Sequence, residues 1–569
     1  MRTIKGIGAS QGFAFGLAYL HIPKLPVIDS SPIENTEAEL SRFINSITQV
    51  DASLAELESK TAQIIGQSEA EVFAAHRMIL FDPSFSDEVE KAIRRDSIRA
   101  EAAVQLVTNT LRETFENMSS EYFRARAADV MDIGTQVIRA LLGLPSVGLG
   151  ELTKPVIVIA EDLSPSDTAR LDKTHILGFV TARGGKTAHA AILARSLGIP
   201  AVVGAGEDIL TLAPNSFLIL DGVDGLILID PDDETKQGYL NRQQKLQTSL
   251  SYTLENALHP AVTMDGIHVE VLGNIGSVDD TTRLLEYGGE GVGLLRTEFL
   301  FLERTTAPTE NEQTEAYINI YEALNNRPLV IRTLDVGGDK PLPYVPMPKE
   351  DNPFLGNRGI RLCLGMPLFF KTQLSAILRA AYGRKIKTMF PMVGTINEIR
   401  LAKKLLEEAR SELLAKHYQV GNPQIGIMVE IPAAAVTADI LASEVDFFSI
   451  GTNDLTQYTL AADRTNPSVQ SVADHFHPSV LRLVRSIIDF AHARNVWVGM
   501  CGELAGEPLA TPLLLGMGLD EFSMAPTSIP LIKETLRLWS KKEAREIVDE
   551  ALQQPDGQSM IAFLQKVSK

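Results

Sequence analysis

Gly184-Gly185-Lys186-Thr187-Ala188-His189-Ala190-Ala191-Ile192 marks the point where an apolar run, Ile176–Val180, gives way to an Ala-rich segment with helical spacing. Two glycines end a strand and a helix begins at once, so the spacing predicts His189 in the first turn of that helix and an α/β unit around it. The unpaired N–H groups and the macrodipole at a helix start disfavour imidazolium and favour an anion. Such a placement suits a neutral nucleophile that then carries a phosphoryl group, and it suits equally a histidine that only caps a helix. A nucleotide-binding P-loop is excluded, because its pattern needs a glycine where Val180 stands.

Outward from this stretch the α/β pattern continues. Val156–Ala160, Ala201–Gly204, Ser216–Asp221 and Leu226–Ile229 read as further strands. Residues 1–20 have strand character as well but no sheet beside them, so they are expected to join the later strands in one discontinuous domain, 1–20 with 145–232. In between, Leu40, Phe43, Ile47, Val50, Leu54 and Leu57 recur in steps of three and four, the seam of a packed helix. With further helices expected at Ala70–Phe81, Ile98–Met118 and Glu121–Leu142, residues 30–144 read as an inserted helical bundle. Residues 233–259 are polar with sparse apolar positions and read as a helical linker, the kind of connection at which two bodies move.

Residues 260–569 alternate strand and helix, with strands expected at Val269–Ile275, Gly291–Thr297, Leu329–Asp335, Lys387–Val393, Gly426–Ile431, Phe447–Thr452, Val496–Cys501 and Glu521–Met524. Eight such units predict a (β/α)8 TIM barrel, whose chemistry gathers at the C-terminal ends of the strands. Those ends carry Asn274, Arg296, Arg332, Glu430, Asn453, Asp454, Cys501 and Glu503. Arg296, Arg332 and Arg464 are expected on one rim, with Arg358 as a fourth candidate, and such a set of guanidiniums suits a small, highly anionic ligand such as a phosphorylated carboxylate. Rim ion pairs with Glu298, Asp335 or Glu503 are the plainer explanation of each arginine. Glu430 and Asp454, expected to end adjacent strands, offer oxygen ligands of the kind Mg2+ completes with phosphate oxygens. Cys501, flanked by Gly499 and Gly502, reads as a proton donor or acceptor, whereas Cys363 lies in an apolar run and reads as structural.

Composition bounds the partners. The chain has 569 residues, 45% of them hydrophobic, enough for two to four domains with ordinary cores. A net charge of -19 argues against nucleic acid and anionic membrane as partners and favours a basic protein. Two distant cysteines provide no disulfide framework, and no signal peptide or membrane span is visible, so a cytoplasmic protein is expected.

Gly184–His189 with Arg195–Gly204, Gly451–Leu460, Glu430–Ala435 and Gly499–Gly506 resemble the enzyme I family of the bacterial phosphotransferase system, the phosphoenolpyruvate–protein phosphotransferases. The resemblance runs end to end. It implies a swivelling phosphohistidine α/β domain with an inserted helical bundle, followed by the barrel. It also implies His189 as the phosphohistidine, Arg296, Arg332, Asn453, Asp454 and Arg464 as phosphoenolpyruvate ligands, Glu430 and Asp454 as Mg2+ ligands, and Cys501 as the proton donor to the enolate. The insertion is expected to dock the phosphocarrier protein HPr, and the barrel to form a homodimer. Related dikinases and synthases carry a nucleotide-grasp domain for which no segment here has room. Lys186 and Ala188 stand where the family more often has Arg and Ser, and lysine keeps the charge but loses the bidentate fork.

Overall fold

The computed structural model describes residues 1–569 except 22–27, 30, 32, 65–66, 117–120, 145–148, 150–151, 153, 169–173, 186–188, 214, 303, 338–341, 346, 349, 464–465, 467–468 and 470–471, with backbone only at 62–64, 67–69, 71, 116, 121–126, 168, 189, 192–193, 196 and 246–251. The chain forms two compact units, Met1–Gln247 and Thr248–Lys569.

The first unit contains an eight-stranded sheet. Its order across the sheet is Arg2–Lys5, Leu226–Ile229, Phe217–Asp221, Phe13–His21, Val156–Ala160, Ile176–Thr181, Ala201–Val203 and Ile7–Ser10. Phe13–His21 runs parallel to Val156–Ala160 although more than a hundred residues separate them, and the helices fill that gap. They are Thr36–Ile64, Gln67–Leu80, Ser86–Asp96, Ala100–Glu116 and Glu121–Leu141. All six apolar residues of the Leu40–Leu57 seam are buried, in one core with Phe73, Phe85, Val104 and Ile133. Ser86–Asp96 was not expected from the sequence: it is short and highly charged, and only Val89, Ala92 and Ile93 supply a buried face. One polar contact links the bundle to the segment after Val156–Ala160, Gln136 Nε2 donating to Ser166 Oγ at 2.9 Å, while inside the bundle the buried His76 lies 3.2 Å from Asp129.

The second unit is a closed barrel of parallel strands: His268–Ile275, Val292–Arg296, Leu329–Arg332, Ile386–Phe390, Gln424–Val429, Phe447–Ile450, Trp497–Met500 and Glu521–Met524, the last pairing back to the first. A short strand, Ala261–Val262, adds antiparallel to the first. Alternation along the strands divides the core. Leu295, Ile331, Phe390, Ile427, Phe448 and Val498 pack in the large core shared with the surrounding helices, while Leu294, Val330, Met389, Met428 and Phe447 form a separate inner cluster with Cys501.

Several strands stop earlier than the sequence suggests, and the difference bears on the site. Strand five ends at Val429, so Glu430 lies just beyond it; strand six ends at Ile450, and Asn453 and Asp454 sit in the first turn of the helix Thr452–Leu460. At these positions side chains take over from the ladder, as where Glu430 Oε1 accepts the Met392 N–H at 2.6 Å.

Candidate active site at the mouth of the barrel

Arg296 and Arg332 occupy paired positions at the ends of strands two and three. Arg296 is exposed and lines a cavity of about 490 Å3 with Asn274, Asn453, Cys501 and Glu503 among its walls. Arg332 is buried. Its Nη2 donates to Glu298 Oε1 at 3.0 Å and its Nη1 lies 3.0 Å from Asp335 Oδ2. Arg358 is buried beside it, gripping Asp335 through Nε and Nη2, both at 3.0 Å, and Asp454 through Nη1 and Nη2, both at 3.2 Å. Burial works to lower both guanidinium pKa values, and the surrounding carboxylates outweigh it: Glu298, Asp335 and Glu430 for Arg332, and Asp335 and Asp454 for Arg358. Both stay charged at any ordinary pH.

The carboxyl of Glu430 is raised, first by burial and then by the negative charges of Asp454 and Asp335, against the pull of Arg332 and Arg358. Part of that elevation comes from neighbouring negative charge, which a cation would relieve, and the donors are hard oxygens, so the residues fit a hard divalent cation better than a thiophilic metal. Among the described residues no group of three or more His, Cys, Asp or Glu is arranged to hold a metal through protein groups alone. Two carboxylates completed by water and ligand oxygens are an arrangement that Mg2+ uses. Since Arg358 already engages both oxygens of Asp454, a metal there would share that carboxylate.

Cys501 follows strand seven, with its Sγ 3.8 Å from the Ile450 carbonyl and its own carbonyl accepting Asn274 Nδ2 at 2.9 Å. Ser523 Oγ donates to Asn274 Oδ1 at 2.7 Å and fixes that amide in turn. Burial pushes the thiol up to about 11, so it holds its proton at neutral pH. Cys363, fully buried in the helix Ile360–Gly365, takes the structural role expected of it, with Sγ 3.7 Å from the Leu334 carbonyl. Asn453 and Glu503 hold each other: Asn453 Nδ2 donates to Glu503 Oε1 at 3.0 Å and the Glu503 N–H donates to Asn453 Oδ1 at 2.9 Å.

Family models for phosphoenolpyruvate-utilising enzymes match the chain three times: the N-terminal domain over 5–126, the mobile domain over 152–225 and the PEP-binding domain over 253–540. A phosphoenolpyruvate-protein phosphotransferase of Bacillus subtilis (strain 168) is 44% identical over 100% of both chains. The chain belongs to the phosphoenolpyruvate–protein phosphotransferases. Within this family the enzyme of Geobacillus stearothermophilus is 43% identical over 99% of this chain and 98% of its own. A solution structure of an Enzyme I protein, 36% identical, covers 43% of this chain and 99% of that one, with a TM-score of 0.37.

The other family-motif residues fall differently. His189 opens the helix His189–Leu197, just after Gly184 at a φ of +98°, as the sequence places it. Lys186, Ala188 and Arg464 lie outside the described residues. Of the expected rim ion pairs, Arg332 with Glu298 and Asp335 is present, whereas Glu503 bonds to Asn453. Tyr458 was not anticipated; its hydroxyl lies 3.4 Å from Arg358 Nη1, and burial foremost pushes it up to about 12.

Proposed function

We propose that this protein transfers the phosphoryl group of phosphoenolpyruvate to His189, and from there to a histidine of the phosphocarrier protein HPr, releasing pyruvate. The observation that carries this reading is the gathering of Arg332, Arg358, Glu430 and Asp454 at one barrel mouth with the protonated thiol of Cys501 nearby. Arg296, Arg332, Asn453 and Arg464 hold the phosphate and carboxylate, and Arg358 positions Asp454 beside them. Glu430 and Asp454 hold Mg2+, which when bound neutralises charge on the phosphoryl oxygens. The imidazole of His189 attacks phosphorus in line; the P–N bond forms as the bond to the enol oxygen breaks. Cys501 then gives its proton to the methylene carbon of the leaving enolate, completing pyruvate.

Residues 1–20 with 145–232 act as the domain that carries the phosphohistidine, 30–144 as its carrier-docking insertion, 233–259 as the linker, and 260–569 as the phosphoenolpyruvate domain through which a homodimer forms. Support for docking at the insertion comes from Met78 and Phe81, which present large apolar side chains to solvent. No helix among the described residues is long and apolar enough to cross a membrane, which is compatible with the cytoplasmic location we propose.

Incubation with labelled phosphoenolpyruvate and Mg2+ gives acid-labile, alkali-stable label in the wild type. His189→Ala binds phosphoenolpyruvate and takes up no label. Stable label on His76, His475 or His477 in that variant would overturn the assignment. A fragment ending near Leu258 exchanges phosphate with phosphorylated HPr and takes none from phosphoenolpyruvate.

A further inference from the structure

Behind the two arginine-bearing strand ends lies an amide that takes no part in the chemistry above. Gln373 belongs to the helix Pro367–Ala380, whose buried residues are apolar apart from it and Ser375, and is only 2% exposed. Its Oε1 accepts the Leu334 N–H at 2.9 Å, just after strand three. Its Nε2 donates to Thr297 Oγ1 and to the Tyr317 hydroxyl, each at 3.2 Å. Because a backbone N–H can only donate, the contact with Leu334 fixes which end of the amide carries the oxygen.

Thr297 directly follows Arg296, and its hydroxyl donates to the Arg332 carbonyl at 2.9 Å. The next residue, Glu298, accepts both Arg332 Nη2 and the Asp335 N–H through one oxygen, each at 3.0 Å. The Gln373 side chain thus spans the ends of two strands, tying the Thr297 hydroxyl, just after Arg296, to the backbone of Leu334, just after Arg332. On the far side Tyr317 donates to Gln313 Oε1 at 3.4 Å, and Gln313 Nε2 donates to the Pro308 carbonyl at 3.1 Å. Donors therefore run in one direction along a chain of buried groups, all of them satisfied. In a buried network of this kind, removing one member leaves its neighbours unpaired, and the local backbone moves to recover them.

We propose that Gln373 is a positioning residue for the phosphoryl-transfer reaction, setting the spacing between Arg296 and Arg332 through Thr297 and Leu334. This rests on the reading of the barrel mouth as the phosphoenolpyruvate site. Gln373→Met preserves volume and removes every polar link, while Thr297→Val removes the hydroxyl that accepts from Gln373 and donates to the Arg332 carbonyl, and leaves the Gln373 links to Leu334 and Tyr317 in place. Both lower kcat/KM for phosphoenolpyruvate on the order of ten- to a hundredfold, the loss expected when charged groups shift by a fraction of an ångström. Thr297→Ser keeps the hydroxyl and restores wild-type kinetics. Tyr317→Phe is the control, for it also unpairs a buried donor of Gln373 but leaves the span between the strands intact; its kcat/KM stays within about twofold, whatever it does to stability.

The experiment is phosphoenolpyruvate-dependent phosphorylation of the full chain, per folded molecule, for these variants alongside Arg332→Ala. Equal losses in Gln373→Met and Tyr317→Phe, or no loss in Gln373→Met, would overturn the positioning role. Full turnover in Arg332→Ala would instead sink the site itself, an outcome distinct from the first. Should Gln373→Met fail to fold, Thr297→Val against Thr297→Ser still decides the question.

Discussion

At the barrel mouth Asp335 pairs with two buried guanidiniums and Asp454 with one of them, whereas at the opposite end Glu521 keeps a fully buried Oε2 with no hydrogen-bond partner among the described residues. Glu521 opens strand eight, and its other oxygen lies against Gly293 and Gly499, where a Cβ would push the carboxylate aside. It lines a cavity of about 410 Å3 with Lys387 and Trp497, the ammonium of Lys387 resting 3.9 Å above an indole that stacks on Phe447 at 4.6 Å. Burial pushes Glu521 up to about 7, with Glu270 and Asp520 adding to the rise and Lys387 opposing it. Buried charge survives where partners are arranged around it, and is neutralised by a proton where they are not. The mouth therefore sets fixed guanidinium charges, ready for an anion, around the raised carboxyl of Glu430, whereas the far end presents the raised carboxyl of Glu521 with no guanidinium of the described residues beside it.

The contrast is broken most directly at the mouth. Glu430 and Asp454 are buried, so alanine would leave the Met392 N–H without its acceptor in one case and take from Arg358 one of its two carboxylates in the other, at a cost of about 1–3 kcal/mol. Glu430→Gln and Asp454→Asn keep the shape. Each is expected to lower phosphoenolpyruvate-dependent turnover about a thousandfold with weakened Mg2+ dependence and an intact fold. Normal turnover with normal Mg2+ dependence in either would remove that residue from the metal pair.

Glu521→Gln probes the other end. A carboxyl whose folded pKa lies above its unfolded value holds its proton longer in the folded state, so stability falls as pH rises from about 4.5 to about 7 and the cost is complete above that. The variant should gain on the order of 3 kcal/mol over the wild type at pH 8, nothing at pH 4, and no change in turnover. Both tryptophans, Trp497 and Trp539, lie in the barrel unit, so their fluorescence in denaturant reports this transition. A pH-independent gap, or altered turnover, would erase the distinction between the two ends.

Cys501→Ala sharpens the comparison with a smaller effect. It should bind phosphoenolpyruvate normally and turn over about a hundredfold more slowly, as expected for loss of one proton donor. With its thiol raised to about 11, Cys501 should react with alkylating agents increasingly fast up to that pH, and phosphoenolpyruvate should shield it. Unchanged turnover would class Cys501 with Cys363 as a buried structural thiol.

The sequence by itself determined what periodicity and short motifs encode. Period-two and period-3.6 patterns are local, so the eight barrel strands and the Leu40–Leu57 seam could be read without coordinates, as could the glycines before the His189 helix. The candidate residues at the strand ends were legible for a related reason: an apolar strand has no structural use for Arg296, Arg332 or Glu430 at its end. Tertiary structure alone decided the pairings. Nothing local to Arg358 indicates that it grips Asp454 across 96 positions, or that Glu298 engages Arg332 and the backbone of Asp335 through one oxygen. Gln373 left a faint trace, a polar residue on the buried face of an apolar helix, but its partners Thr297, Tyr317 and Leu334 come from three separate segments. Hydrogen bonds and ion pairs depend on distances of a few tenths of an ångström between groups remote in sequence, and only the folded chain fixes those.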